Sequence, residues 1–257
     1  MEIQQPIGIF DSGLGGISVF RSVAALLPQE DYIYYGDSGN APYGVRPAEE
    51  IRALTVRALE SLIQRGVKAI VIACNTASSA AGSAMRQAHP QLPIIAIEPA
   101  LKPAVLSCPK GNVLVMATTA TLQEAKFQRL MESYRDQANI LKCPCPGLME
   151  FVERGELDSP ALEHFLRERF REFEGRKMDA IVLGCTHYPF LQPMIQKVAG
   201  PQVKVFDGAP GTARQLRRRL KAASLLKPAG PRGHITWLNS SPDARLLELS
   251  RQLFEVR

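Results

Sequence analysis

No apolar run in this chain approaches the ~20 residues that a helix needs to cross a bilayer, so a membrane-spanning protein is not expected. Nothing near the start has the form of a leader. Met1–Pro6 is polar, and the apolar run beginning at Ile7 stops at Asp11. The expected location is the cytoplasm. Metal-ligand spacing is also missing. The histidines (His89, His164, His187, His234) are scattered, and Cys143-Pro-Cys145 has no second pair to complete a zinc site. Five cysteines in an intracellular chain point to thiols rather than a disulfide framework. No lysine stands in a recognisable Schiff-base setting, which argues against a pyridoxal enzyme.

A modest positive balance is present: net charge is +6. Its densest cluster is Arg214, Arg217, Arg218, Arg219 and Lys221, in a stretch that reads as helix. No RNA-binding aromatic motif or zinc finger accompanies it, so it reads as a solvated helix face and not as a nucleic-acid surface. A hydrophobic fraction of 46% over 257 residues suffices for a sizeable core, in one large domain or two.

Short apolar runs rich in Ile and Val end abruptly in small polar residues: Ile7–Phe10, Tyr32–Tyr35, Ala69–Ala73, Ile94–Ile97, Val113–Met116, Ala180–Leu183 and Val203–Phe206. They are continuous rather than alternating, which predicts strands buried on both faces. Helical periodicity fills the intervals. Across Pro47–Arg65 the apolar residues share one face, with Gly66 as a stop, and Leu162–Phe173 is similar. Such alternation predicts an α/β fold with mainly parallel sheets.

An internal repeat is visible. Lys68-Ala-Ile-Val-Ile-Ala-Cys-Asn-Thr76 parallels Asp179-Ala-Ile-Val-Leu-Gly-Cys-Thr-His187, and Gly8–Ser12 parallels Leu114–Thr118. Two similar α/β domains would explain both pairs. Glu98–Pro103 would be one crossover and the neighbourhood of Asp207–Gly211 the return. The expected domains are therefore 1–98 with 208–257, and 99–207.

In doubly wound sheets, ligands bind beyond the carboxyl ends of strands, where following helices present free N–H groups. Four segments occupy such ends: Asp11–Gly16, Gly36-Asp37 leading to Pro42-Tyr43-Gly44, Cys74-Asn75-Thr76, and Cys185-Thr186-His187. Asn75 and Thr76 are helix-capping types that would leave N–H donors beside Cys74. Inverting a carbon that bears an acidic proton needs a base on one face and an acid on the other. A pair of thiols, one ionised and one not, has that asymmetry near neutral pH. Cys74 and Cys185 are each followed at once by hydrogen-bonding side chains. Cys108, Cys143 and Cys145 read as small buried hydrophobes. From the residues alone, Asp11 is a thiol partner or a helix cap, and Asp37 a catalytic assistant or a cap. Tyr43 is a ligand contact or turn packing, and His187 a thiolate partner or structural. Glu153 reads as a charge at a helix start.

Gly8-Ile-Phe-Asp-Ser-Gly-Leu-Gly-Gly16, Tyr35-Gly-Asp37, Pro42-Tyr-Gly44, Ala73-Cys-Asn-Thr-Ala-Ser78, Glu98-Pro-Ala100 and Gly184-Cys-Thr-His-Tyr-Pro189 resemble, in order, the motif series of the glutamate racemases. The resemblance runs from about residue 7 to 215. It implies two α/β domains related by pseudo-twofold symmetry, with substrate in the cleft between them and no cofactor. It carries Cys74 over as the base for D-glutamate, assisted by Asp11, and Cys185 as the base for L-glutamate, assisted by His187. Implied substrate contacts are Asp11, Ser12, Tyr43, Gly44, Asn75, Thr76, Thr118, Thr121, Thr186 and His187, with Asp37 and Glu153 auxiliary. It also implies D-glutamate supply for peptidoglycan and leaves a homodimer open. The chain departs from the pattern at Ser38–Ala41, at Glu124 and Phe127, and at Gly208, which bears on closure contacts more than on chemistry. The rival readings are a racemase of aspartate or a hydantoin, an amino-acid sensor without turnover, and a regulator that uses the basic segment near Arg217.

Overall fold

The structure is a computed structural model and describes residues 1–255. The chain divides into two compact units, Met1–Glu98 with the segment from Ala209 onward, and Pro99–Gly208. Gly208 thus belongs to the second unit, one residue beyond the expected boundary.

The first unit contains β1 (Ile7–Asp11), α1 (Ile17–Leu26), β2 (Tyr32–Gly36), α2 (Ala48–Gln64), β3 (Ala69–Ile72), α3 (Asn75–Ala88) and β4 (Ile94–Ala96). The second contains α4 (Leu101–Ser107), β5 (Asn112–Ala117), α5 (Thr119–Gln123), α6 (Ala125–Glu132), β6 (Asn139–Pro144) and α7 (Leu148–Glu153). It continues with α8 (Pro160–Arg171), β7 (Ala180–Leu183), α9 (Gln192–Ala199) and β8 (Lys204–Asp207). The chain then adds α10 (Ala209–Ala222), β9 (Ile235–Asn239) and α11 (Ala244–Glu255) to the first unit.

Both sheets are parallel throughout. Their orders are β4-β3-β1-β2-β9 and β6-β5-β7-β8. Read from the other edge, the second order repeats the first four strands of the first: β1 corresponds to β5, β2 to β6, β3 to β7 and β4 to β8. The register repeats too, since Phe10 faces Ile72 as Met116 faces Leu183. The repeat seen in sequence is therefore one of topology, and it aligns Ser12 with Thr118 and Cys74 with Cys185.

Strand alternation sets the layers of the first unit. Phe10 and Ile33 point into a core shared with Ile51, Leu59 and Leu62 of α2 and Met85 of α3. Tyr32 and Tyr34, one residue out of phase, meet Phe20 of α1 on the other face, with ring centroids at 5.0 and 5.9 Å. Phe254 of α11 and Trp237 of β9 complete this aromatic cluster. In α2, Glu49 and Glu50 favour the positive N-terminal end, and Gly66 turns the chain out of the helix at φ +75°. The buried Lys68–Glu30 pair, 2.6 Å apart, ties the later segment in, because Glu30 also accepts the Lys227 N–H. In the second unit, Leu101, Val113, Val115, Phe127 and Val182 form the equivalent core.

Two strands are absent from the sequence reading, β6 and β9. Both lie at sheet edges and are only partly buried, so their sequences lack the continuous apolar runs of the central strands. The second predicted helix, Leu162–Phe173, lies at Pro160–Arg171, with the Ser159 hydroxyl accepting the Leu162 N–H and Pro160 in the first turn. Arg217, Arg218 and Arg219 are exposed on α10. Among the described residues no helix is long and apolar enough to cross a membrane.

Candidate active site

Each unit carries one thiol at the same place, two residues beyond a central strand: Cys74 after β3 and Cys185 after β7. Both are buried.

In the first unit, Cys74 is itself the N-cap of α3, and its Sγ accepts the N–H of Ala77 at 3.4 Å. This corrects the expectation that Asn75 and Thr76 cap the helix; they form its first turn. The sulfur therefore lies where the helix presents its unpaired N–H groups and positive dipole end. A second donor arrives from the end of β1, where Ser12 Oγ donates to Cys74 Sγ at 3.2 Å. The neighbouring Asp11 is fully buried and accepts the Gly13 N–H at 2.9 Å, folding the glycine-rich loop over the strand end. Gly16 is required there, because a Cβ would stand 2.4 Å from that of Asp11.

Asn75 and Thr76 are buried beside the thiol, and Asn75 Oδ1 has no hydrogen-bond partner among the described residues. An orphaned acceptor of this kind costs about 1–3 kcal/mol unless a ligand or water supplies a donor. Asp37, at the end of β2, makes no side-chain cap. It accepts hydrogen bonds from Tyr43 Oη at 2.5 Å and Asn40 Nδ2 at 2.9 Å. Burial, and then this bond to Asp37, push the Tyr43 phenol well above its ordinary value, so it remains a donor. The pair anchors the turn that holds Tyr43 and Gly44.

In the second unit a relay replaces the helix terminus. Cys185 Sγ lies 3.6 Å from His187 Nδ1, and His187 Nε2 lies 2.7 Å from Glu153 Oε1. Glu153 ends α7 and does not start a helix, so the dipole reading of this residue is corrected. A carboxylate there opposes the negative helix end, and its place is explained by its bond to His187. Burial alone would lower the pKa of His187, but Cys185 and Glu153 outweigh it and hold the imidazole well above its ordinary value. The arrangement is that of an imidazolium between a carboxylate and a sulfur.

Thr118, equivalent to Ser12, has a different task. It caps α5 by accepting the Thr121 N–H at 3.1 Å, and its hydroxyl donates to Thr121 Oγ1 at 3.0 Å. Thr121 and Thr186 are buried. Gly184 lets β7 pass β5 closely, since a Cβ would meet that of Ala117 at 2.9 Å. The sequence reading missed two features. The Ser12 hydroxyl is a partner of the thiol itself. Tyr188, fully buried after His187, donates to the Cys145 carbonyl at 3.2 Å and fixes the turn that carries the imidazole. Nothing in the local spacing signalled either contact, since Thr118, the Ser12 equivalent, bonds Thr121 and not the second thiol.

Two parallel α/β units, each ending a central strand in a partnered thiol, define a class of isomerase. The Asp/Glu/hydantoin racemase family profile matches residues 7–216, and the chain belongs to this family of racemases. A glutamate racemase of Clostridium perfringens is 48% identical over 252 residues, covering 98% of this chain and 97% of the relative. A glutamate racemase from Thermus thermophilus, solved with beta-chloro-D-alanine, superposes with a TM-score of 0.83 at 33% identity, over 98% of this chain and 94% of that one. The enzyme from Francisella tularensis, solved with D-glutamate, gives 0.86 at 26% identity, over 99% and 95%.

Proposed function

We propose that the protein interconverts L- and D-glutamate without a cofactor, by proton transfer at Cα between two thiols. Cys74 as thiolate removes the proton of D-glutamate, while Cys185 as thiol returns one to the opposite face. The reverse reaction exchanges the roles. The observation that carries this reading is the repetition. A cysteine follows each of two topologically equivalent strands by two residues, and each sulfur has its own hydrogen-bonding group. A structural cysteine needs no such partner, whereas a proton-transfer thiol needs charge on sulfur supported when it is the base.

The geometry of each centre supports a base role for its thiol, and the assignment of enantiomers is that of the glutamate racemases this chain resembles. Ser12 and the Ala77 N–H support negative charge on Cys74. His187, oriented by Glu153, supports it on Cys185. The unpaired Asn75 Oδ1 accepts an N–H of the substrate ammonium. The positive N-terminal end of α3 and the hydroxyls of Thr76, Thr121 and Thr186 suit the two carboxylates. Asp11 lies buried at the end of β1 beside Ser12 and assists Cys74; Asp37 acts through Tyr43. The 48%-identical Clostridium relative favours glutamate over aspartate or a hydantoin. D-glutamate made in this way would supply peptidoglycan synthesis.

The test is turnover of purified, cofactor-free protein on both dicarboxylates. Racemisation of glutamate well above that of aspartate is expected. Faster turnover of aspartate, or glutamate binding without Cα–H exchange, would refute the assignment.

A further inference from the structure

The first sheet carries one strand that the repeat does not account for. β9 has no counterpart among the four strands of the second sheet, and it runs beside β2 from Tyr32 opposite Ile235 to Gly36 opposite Asn239. Trp237 and Phe254 pack on Phe20, the His234 N–H donates to Asp31, and the Tyr32 N–H donates to the His234 carbonyl. This late segment is therefore fixed at its start and along its length.

Its far end meets the loop that leaves β2 toward the site. Ser240 N donates to the Gly36 carbonyl at 3.0 Å, Asn239 Nδ2 to Ser38 Oγ at 2.9 Å, and Gly39 N to Ser240 Oγ at 2.9 Å. Asn239 is itself held, because its Oδ1 accepts the Ser241 N–H at 2.8 Å. Gly36 permits the close approach: a Cβ there would stand 3.1 Å from Asn239 Nδ2 and 2.7 Å from the Gly13 carbonyl. Ser38, Gly39 and Asn40 form one tight helical turn, and Asn40 Nδ2 and Tyr43 Oη both donate to the Asp37 carboxylate. The bonds thus make a continuous path from Asn239 through Ser38–Asn40 and Asp37 to Tyr43.

We propose that Asn239, with Ser240 beside it, is a positioning residue that sets Tyr43 at the site through Ser38 and Asp37. The inference rests on the functional reading above, in which Asp37 acts through Tyr43. Misplacing a contact group by about 1 Å can cost ~100-fold in rate, so even a modest loosening of this loop is measurable.

The experiment compares Asn239→Ala, Ser38→Ala and Tyr43→Phe, and adds Tyr43→Phe to each of the first two. It reads kcat/KM for glutamate, amide hydrogen exchange by mass spectrometry, and the fluorescence of Trp237, the single tryptophan. Asn239→Ala and Ser38→Ala should each lower kcat/KM about fivefold and speed exchange over 38–44 about as much, the worth of one hydrogen bond. Neither should lower kcat/KM further once Tyr43→Phe is present. Emission of Trp237 and exchange in β1 and β3 should stay unchanged. Ser38→Ala leaves β9 untouched, so it carries the test if Asn239→Ala does not fold. Losses that multiply with that of Tyr43→Phe would overturn the proposal, as would a shifted Trp237 emission with faster exchange throughout the sheet, since the segment would then support the fold at large. A chain inert toward glutamate would refute the functional reading, whereas unchanged exchange over 38–44 in both variants would refute the positioning role whatever the substrate.

Discussion

Cys74 and Cys185 occupy equivalent points of two equivalent sheets, yet the groups on their sulfurs differ in kind. Cys74 meets a hydroxyl and a helix N–H, neither of which changes charge near neutral pH. Cys185 meets an imidazole whose pKa the sulfur itself and Glu153 hold well above its ordinary value against the opposing effect of burial. The fold thus repeats the position of the thiol but not the means of supporting its charge. The second centre brings a titratable imidazole to its sulfur where the first brings a hydroxyl and a helix N–H. The two should answer differently to pH and to mutation.

The largest expected effect removes the comparison altogether. Cys74→Ser and Cys185→Ser should each lower racemisation by ~100-fold to 10,000-fold, because a serine hydroxyl is far harder to ionise. Single-turnover Cα–H exchange should separate them: Cys74→Ser loses exchange from D-glutamate first, and Cys185→Ser from L-glutamate. Equal losses from both enantiomers in both variants would erase the distinction between the centres.

Next in size is the relay. Glu153→Gln and His187→Asn should each slow Cα–H removal from L-glutamate by ~10-fold to 100-fold, with a smaller effect on the D-enantiomer. A uniform decline would make the relay structural. Its signature in stability has a definite sign. The folded-state pKa of His187 is raised, so its contribution is fully present below the unfolded value of about 6.5 and is lost as pH rises through the folded value. The difference in Tm between the unaltered chain and His187→Asn should therefore be greatest in mild acid and shrink toward alkaline pH. A difference that grew with pH would contradict the imidazolium.

Ser12→Ala should have the smallest effect. It deletes the hydroxyl donor to Cys74, worth about 1 kcal/mol, and so should slow removal of the D-enantiomer's proton roughly fivefold. Because a serine hydroxyl does not titrate near neutral pH, the pH profile should keep its shape. A displaced alkaline or acid limb in Ser12→Ala would mean that the hydroxyl is coupled to a titrating group.

Much of this was legible in the residues, and the exceptions share a cause. Central strands such as Ile7–Asp11 and Ala180–Leu183 are buried on both faces and so read as unbroken apolar runs. Edge strands β6 and β9 need apolar residues only where a neighbour covers them, and Asn139 or Thr236 hides them from any such pattern. The thiols stood out because each follows a legible strand at the same interval. His187, two residues from Cys185, could be read as a thiolate partner from that spacing, but the distant contacts could not. Ser12 reaches Cys74 across 62 positions and Glu153 reaches His187 across 34, and no local spacing records them. Glu153 was misread although its helix end carries a visible stop: Gly155 takes φ +73°, and the Gly155 and Glu156 N–H groups return to the Val152 and Phe151 carbonyls.

The most direct test of two opposed thiols is isotopic. Purified protein is incubated with D-glutamate in D2O, and the early L-glutamate and the remaining D-glutamate are analysed for deuterium at Cα. Two bases predict label in nearly all the product and almost none in the unreacted substrate, because the incoming proton comes from the second, solvent-exchanged thiol. Label accumulating equally in both enantiomers from the start would contradict the account.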